Sequence, residues 1–93
     1  MKVRLNISGI SLLYKVLGKR KEIDVEFPGV TLRDLAKTLE QRFGPPMRKA
    51  ILDENGDIDM EIMVLYNNQS YLSENRMSTP LQEGDIIALS SGG

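Results

Sequence analysis

One segment constrains the fold of this chain more than any other. In "PGVTLRDLAKTLEQRFG", residues 28–44, Leu32, Leu35, Ala36, Leu39 and Phe43 recur at helical spacing and make a single apolar stripe. Thr31 is placed to cap this helix, Asp34 three residues later resembles the second half of a capping box, and Gly44 followed by Pro45 and Pro46 is a stop signal. A helix with one apolar stripe needs a sheet to cover, so the segments around it decide the architecture.

Those segments alternate with a period of two. "KVRLNIS" places Val3, Leu5 and Ile7 on one side and Lys2, Arg4, Asn6 and Ser8 on the other. "EIDVEFP" repeats the pattern, with Ile23, Val25 and Phe27 inward and Glu22, Asp24 and Glu26 outward, and is expected to pair antiparallel with the first strand. The connection "GISLLYKVLGKRK" is longer than a tight hairpin and has enough Leu and Val for a helical turn, or to tuck under the sheet. "MRKAILDENGDIDM" is expected to begin with a short helical turn and to contain an Asn55-Gly56 turn. "EIMVLYN" reads as a third strand and "QSYL" as a short fourth. "TPLQEGD" reads as a turn with Leu81 pinned inward, and "IIALS" as the last strand. The order predicts an α+β fold: one domain over residues 1–93, a mixed sheet of about five strands packed on one main helix, and a flexible tail over residues 90–93.

Composition narrows the chemistry. The chain has no Cys and no His, which removes thiol nucleophiles, Cys/His metal sites and the usual proton shuttle, and leaves no constellation for an enzyme. Asp53, Asn55 and Asp57 occupy the first three ligand spacings of a calcium loop. The Gly that should follow is Ile58, and the bidentate Glu at the twelfth position is Val64, so no metal site is expected. "KVLGKRK", with Lys15, Lys19, Arg20 and Lys21 beside Tyr14, is too small a basic cluster for a nucleic-acid groove and reads as a solvated turn. No run approaches the length of a membrane span, and "MKVRLNISG" lacks a signal-peptide core, so the expected compartment is the cytoplasm. Charge is uneven: residues 1–50 hold 11 Lys/Arg against 5 Asp/Glu (+6), and residues 51–93 hold 1 against 8 (-7). The glycine end is therefore expected to lie in an acidic neighbourhood that favours a basic partner surface.

The last two long strands carry apolar residues on both parities. Ile62, Val64 and Tyr66 alternate with Met63 and Leu65, and Ile87 and Leu89 alternate with Ile86 and Ala88. With a helix on one face only, Met63, Leu65, Ile86 and Ala88 are expected on the other, extended by Tyr71, as a partner-binding patch. The competing reading buries both sets, as in a central parallel strand.

The sequence closes on "SSGG". Gly92 and Gly93 carry no side chain to obstruct a narrow catalytic channel and leave a terminal carboxylate unhindered for another enzyme. With Ser90 and Ser91 in the tail, four extended residues would reach about 13 Å. Taken together, "KVRLNIS", "VTLRDLAKTLEQRFG", "VLYNNQSYL" and above all "PLQEGDIIAL" before "GG" resemble the ubiquitin-like sulfur carriers of the molybdopterin synthase small-subunit and thiamine sulfur-carrier group. The resemblance implies a β-grasp fold with the first and last strands parallel at its centre. It also implies a cycle in which an E1-like enzyme uses ATP to adenylate Gly93. Sulfur then replaces AMP, and the thiocarboxylate is delivered to a sulfur-accepting enzyme such as the molybdopterin synthase large subunit. Gly92 would give passage into both active sites, and no cofactor would be stably bound by the carrier. Two departures stand out: only two serines separate Leu89 from the glycines, where the family has a longer stretch, and Asn6 occupies an expected apolar interface position.

A ubiquitin-like modifier or tRNA-thiolation carrier using the same terminal glycine, and a non-covalent interaction module to which the glycines are incidental, remain open beside the sulfur carrier.

Overall fold

Thr31 starts the main helix by the reciprocal bonding its sequence predicts. Its hydroxyl oxygen accepts from the Asp34 N–H, and the Asp34 carboxylate accepts from the Thr31 N–H and, at 2.9 Å, from the Val30 N–H. Gly29 makes room for that carboxylate: its φ is +149°, and a Cβ there would stand 2.5 Å from the Asp34 Cβ. The helix runs from Leu32 to Phe43, with Leu32, Leu35, Ala36 and Leu39 buried and Phe43 half-buried under the Arg42 guanidinium.

The computed structural model describes residues 1–91. In chain order the elements are β1 (Lys2–Ser8), α1 (Ser11–Val16), β2 (Glu22–Glu26), α2 (Leu32–Phe43), α3 (Pro45–Ile51), β3 (Ile62–Tyr66), β4 (Ser70–Tyr71), a 3-10 turn (Arg76–Ser78) and β5 (Ile86–Ser91). The two connections expected to hold helical turns do so, as α1 and α3. Pro45 and Pro46 stop α2 as expected, yet they also open α3: Gly44 serves as the last cap of one helix and the first of the next, and proline is tolerated in the first turn, where its missing N–H has no partner to lose.

The sheet order is β2-β1-β5-β3-β4. β1 pairs antiparallel with β2, placing Leu5 opposite Ile23, and parallel with β5, placing Leu5 opposite Ile87. β5 is also antiparallel to β3, with Leu89 opposite Val64. The last strand is therefore the middle one. The inward parity of every long strand joins the α2 stripe in one core: Val3, Leu5, Ile7, Val25, Val64, Ile87 and Leu89 are buried with Leu32, Leu35 and Leu39, and Leu13 of α1, Met47 and Ile51 of α3 and Leu81 close its ends. This is a β-grasp fold, a mixed sheet holding its helices on one face. Among the described residues no helix is long and apolar enough to cross a membrane.

Candidate functional site

The face of the sheet opposite the helices divides into two halves. On β2 and β1 it carries charge: Asp24 pairs with Arg4 at 3.3 Å and with Lys2 at 4.0 Å. On β5, β3 and β4 it carries the apolar residues expected there. Pairing register places Glu22, Asn6, Ala88, Leu65 and Tyr71 in one row across all five strands, with Ile86 beside Arg4 and Met63 beside Ser90 in the flanking rows. Ile86, Ala88 and Leu65 are half-buried, and Met63 and Tyr71 are exposed. All five residues expected in a partner patch thus share one surface, and the reading that buries both parities is overturned, because only Ile62, Val64, Ile87 and Leu89 enter the core.

Asn6 stands second in that row, between Glu22 and Ala88. Its Oδ1 is enclosed and has no hydrogen-bond partner among the described residues, a situation that costs free energy unless a donor is supplied.

The strand that leads to the glycines is held at both ends. At its start, Asn67 acts as an extra rung: its N–H donates to the Ile86 carbonyl at 2.8 Å, and its side-chain oxygen accepts from the Ile86 N–H at 2.7 Å. Asn67 has φ +51°, a left-handed turn that Asn tolerates better than most residues. Beside it the buried Asp85 carboxylate accepts from the Tyr66 hydroxyl at 2.5 Å, the Gln82 N–H at 2.8 Å and the Asn67 amide at 3.2 Å. Burial alone would raise the Asp85 pKa. The three donors outweigh it and hold the carboxyl below its ordinary value, while the same bond pushes the Tyr66 phenol up. These roles were not legible beforehand: "GD" marked a turn, and nothing in it showed that the carboxylate would be buried.

At its far end β5 runs through Ser90, which pairs with Ser8 and Met63, to Ser91, which pairs with Ile62. The expected tail over residues 90–93 is corrected here: both serines belong to the sheet, because β1 reaches Ser90 and β3 reaches both Ser90 and Ser91. Gly92 and Gly93 lie outside the described residues. Two residues of any conformation span about 7 Å at most.

Parallel pairing also alters the expected charge at this end. It brings the end of β1 beside Ser90, and a Cβ on Gly9 would lie 3.9 Å from the Ser91 Cβ. Ser8 and Gly9 line a cavity of about 410 Å³ together with Ile10, Tyr14, Lys15 and Lys21. The sequence neighbours of the glycines are acidic, but the cavity at the end of β1, the strand paired with Ser90, is lined by two lysines.

No family model and no curated protein matches the sequence. Solved structures match its shape over nearly the whole length. Small archaeal modifier protein 1 of Haloferax volcanii has a TM-score of 0.76 at 19% identity, covering 99% of this chain and 98% of its own. CysO of Amycolatopsis orientalis, solved in complex with BexX, has a TM-score of 0.75 at 20% identity, covering 98% and 96%. A protein of Pyrococcus furiosus described under the name molybdopterin converting factor, subunit 1, has a TM-score of 0.69 at 20% identity, covering 100% and 99%. Likenesses at this identity establish the fold that the three proteins share with this chain.

Proposed function

We propose that this chain is a ubiquitin-like carrier of the sulfur-carrier and small-modifier kind, acting through the carboxylate of Gly93 as a substrate of partner enzymes. In the first step a carboxylate oxygen attacks the α-phosphorus of ATP and pyrophosphate leaves. In the second, hydrosulfide supplied by the partner attacks the acyl carbon and AMP leaves as the bond between that carbon and the phosphate oxygen breaks, giving a thiocarboxylate on Gly93 and releasing one proton. The protein's part is to present the carboxylate, orient it and offer a docking face; no acid, base or metal of its own is called for.

The observation that carries the reading is the placement of β5. The strand that precedes Gly92 is the central one, paired on both sides through Ser90 and with β3 through Ser91, and its outward side chains help form the apolar half of the open face. A partner seated on Ile86, Ala88, Leu65, Met63 and Tyr71 would therefore be in register with the end of the strand. The likeness to a small archaeal modifier, a CysO and a protein named for molybdopterin conversion supports the same kind of role. A complex such as that of CysO with BexX supports action through a protein partner. Molybdopterin synthesis is the pathway we put first, with tRNA thiolation and protein conjugation using the same carboxylate.

With both serines in the sheet, the activating enzyme must bring its catalytic groups to within about two residues of the fold.

The test is the intact mass of the protein from its native cells, with the terminal peptide sequenced. A sulfur-for-oxygen exchange localised to Gly93 is the expected result. Glycine remnants on lysines of other proteins would favour the modifier reading. A free carboxylate after incubation with ATP and an activating enzyme that docks on the open face would overturn the proposal.

A further inference from the structure

β4 is only two residues long, so it covers Leu65 and Tyr66 of β3 and leaves the first half of that strand without a neighbouring strand on this side. The backbone there is satisfied by other means. Leu72 donates its N–H to the Val64 carbonyl at 2.9 Å, and the Arg76 guanidinium donates to the Ile62 carbonyl at 2.6 Å. What remains between β3 and the chain that follows β4 is a notch of about 360 Å³, lined by Met60, Met63, Tyr71, Leu72, Glu74 and Arg76 among others.

Five large hydrophobic side chains are exposed among the described residues, and three of them line this one notch: Met60 at 92%, Tyr71 at 59% and Met63 at 38%. Scattered exposed apolar residues are ordinary; a set gathered round a concavity is the signature of a contact site. Two of the three are methionines, whose unbranched, polarisable side chains adapt to an incoming group.

Two opposite charges line the notch, Glu74 and Arg76, and the chain beside it adds the acids Asp59 and Glu61. Arg76 is the only Lys or Arg in residues 51–93, and its guanidinium is occupied by three backbone carbonyls, those of Ile58, Asp59 and Ile62. Glu74 lines the notch and Glu61 adjoins Met60 and Ile62 in sequence; both are exposed, and neither has a salt-bridge partner among the described residues. An apolar hole with more carboxylates than cations beside it fits one kind of occupant.

We propose that this notch receives a single aliphatic or aromatic side chain carried on a Lys/Arg-rich segment of a protein partner, the apolar group filling the hole and the cations meeting Glu74 and Glu61. The inference rests on reading the open face as a partner surface, and it adds what that partner must present at the outer edge of the sheet. Desolvated apolar anchors supply most of the energy of such contacts, and charges near them set selectivity and the rate of encounter.

The probe is an end-blocked peptide with one Leu flanked by two Lys on each side, titrated at millimolar concentration into protein carrying ¹³C-methyl methionine. Saturable shifts of the Met60 and Met63 methyls are expected. They should be lost with Glu in place of the peptide's Lys, or with Ser in place of its Leu, and Glu74→Lys should weaken binding about tenfold. Glu74 is exposed, so the variant is expected to keep the wild-type circular dichroism, which is checked first. Unmoved methionine methyls, or equal shifts from the Glu or Ser peptide, would overturn the inference. A chain lacking Gly92 and Gly93 should bind the peptide as the whole chain does, so failure of the Gly93 chemistry and failure of the notch are read separately.

Discussion

The Tyr66 hydroxyl donates to the Asp85 carboxylate at 2.5 Å, joining the end of β3 to the turn that enters β5. Asp85 is 8% exposed and keeps two further donors, so Tyr66→Phe should cost about 1–2 kcal/mol, and Asp85→Ala more, because it strands all three donors at once. Chemical denaturation of the two variants checks the ranking; equal costs would contradict it.

The same carboxylate gives the fold an acid limit. Asp85 and Asp34 both have folded pKa values below the ordinary 3.8, Asp85 because its three donors outweigh burial and Asp34 chiefly through the N–H groups of Val30 and Thr31. A carboxyl lowered on folding stabilises the fold above its unfolded pKa, and that contribution is lost as pH falls through the folded value. Denaturation midpoints should therefore hold steady down to about pH 4 and fall below it. Asp85→Asn should start lower and decline less steeply. A parallel decline would show that other acids set the limit.

Arg76 ties the 58–62 segment to the 3-10 turn through three carbonyl acceptors. Arg76→Ala should cost about 2–3 kcal/mol, since charge-assisted bonds are lost and carbonyls are left without a protein donor. Arg76→Lys should recover only part of that, because one ammonium cannot reproduce the planar fork. Thermal melts of both variants decide it.

Gly29→Ala should destabilise by roughly 1–3 kcal/mol, since the backbone there is at φ +149° and the new methyl meets the Asp34 side chain. Amide exchange should show the loss first in the opening turn of α2, around Leu32 and Arg33.

Asn6→Val should do the opposite. It removes an enclosed oxygen without a partner and adds β-branched bulk to a central row of the sheet. A gain of about 1 kcal/mol, or roughly 4–8 °C in Tm, is expected.

Periodicity was enough to find the long strands, the inward parity and the main helix, because each rests on the local spacing of apolar residues. The capping box of Thr31 and Asp34 and the inward Leu81 were equally local. Three features were not legible, since each depends on residues far apart in sequence. Ser90 and Ser91 read as tail because two serines carry no strand signal; β1 and β3 draw them into the sheet. Lys15 and Lys21 lie far in sequence from the glycines, and only parallel pairing of β1 with β5 brings their cavity to that end. Arg76 was not singled out, and nothing near it in sequence announced the carbonyls it binds. The five residues of the open patch were legible because an apolar outward parity is a local signal, whereas the notch beside them follows from where β4 stops.

The position of β5 also governs when this domain can form. Arg4 pairs with Ile86, so the central rung of the sheet waits for the last strand to be made. Until residues 86–91 have left the ribosome, the chain has a β1/β2 hairpin and a β3/β4 hairpin with no strand to join them, and such long-range pairing is slow to form and exposes apolar edges meanwhile. An enzyme that recognises the assembled open face would therefore select for folded domains, and a nascent or misfolded copy lacking β5 in place would present it with no surface to bind.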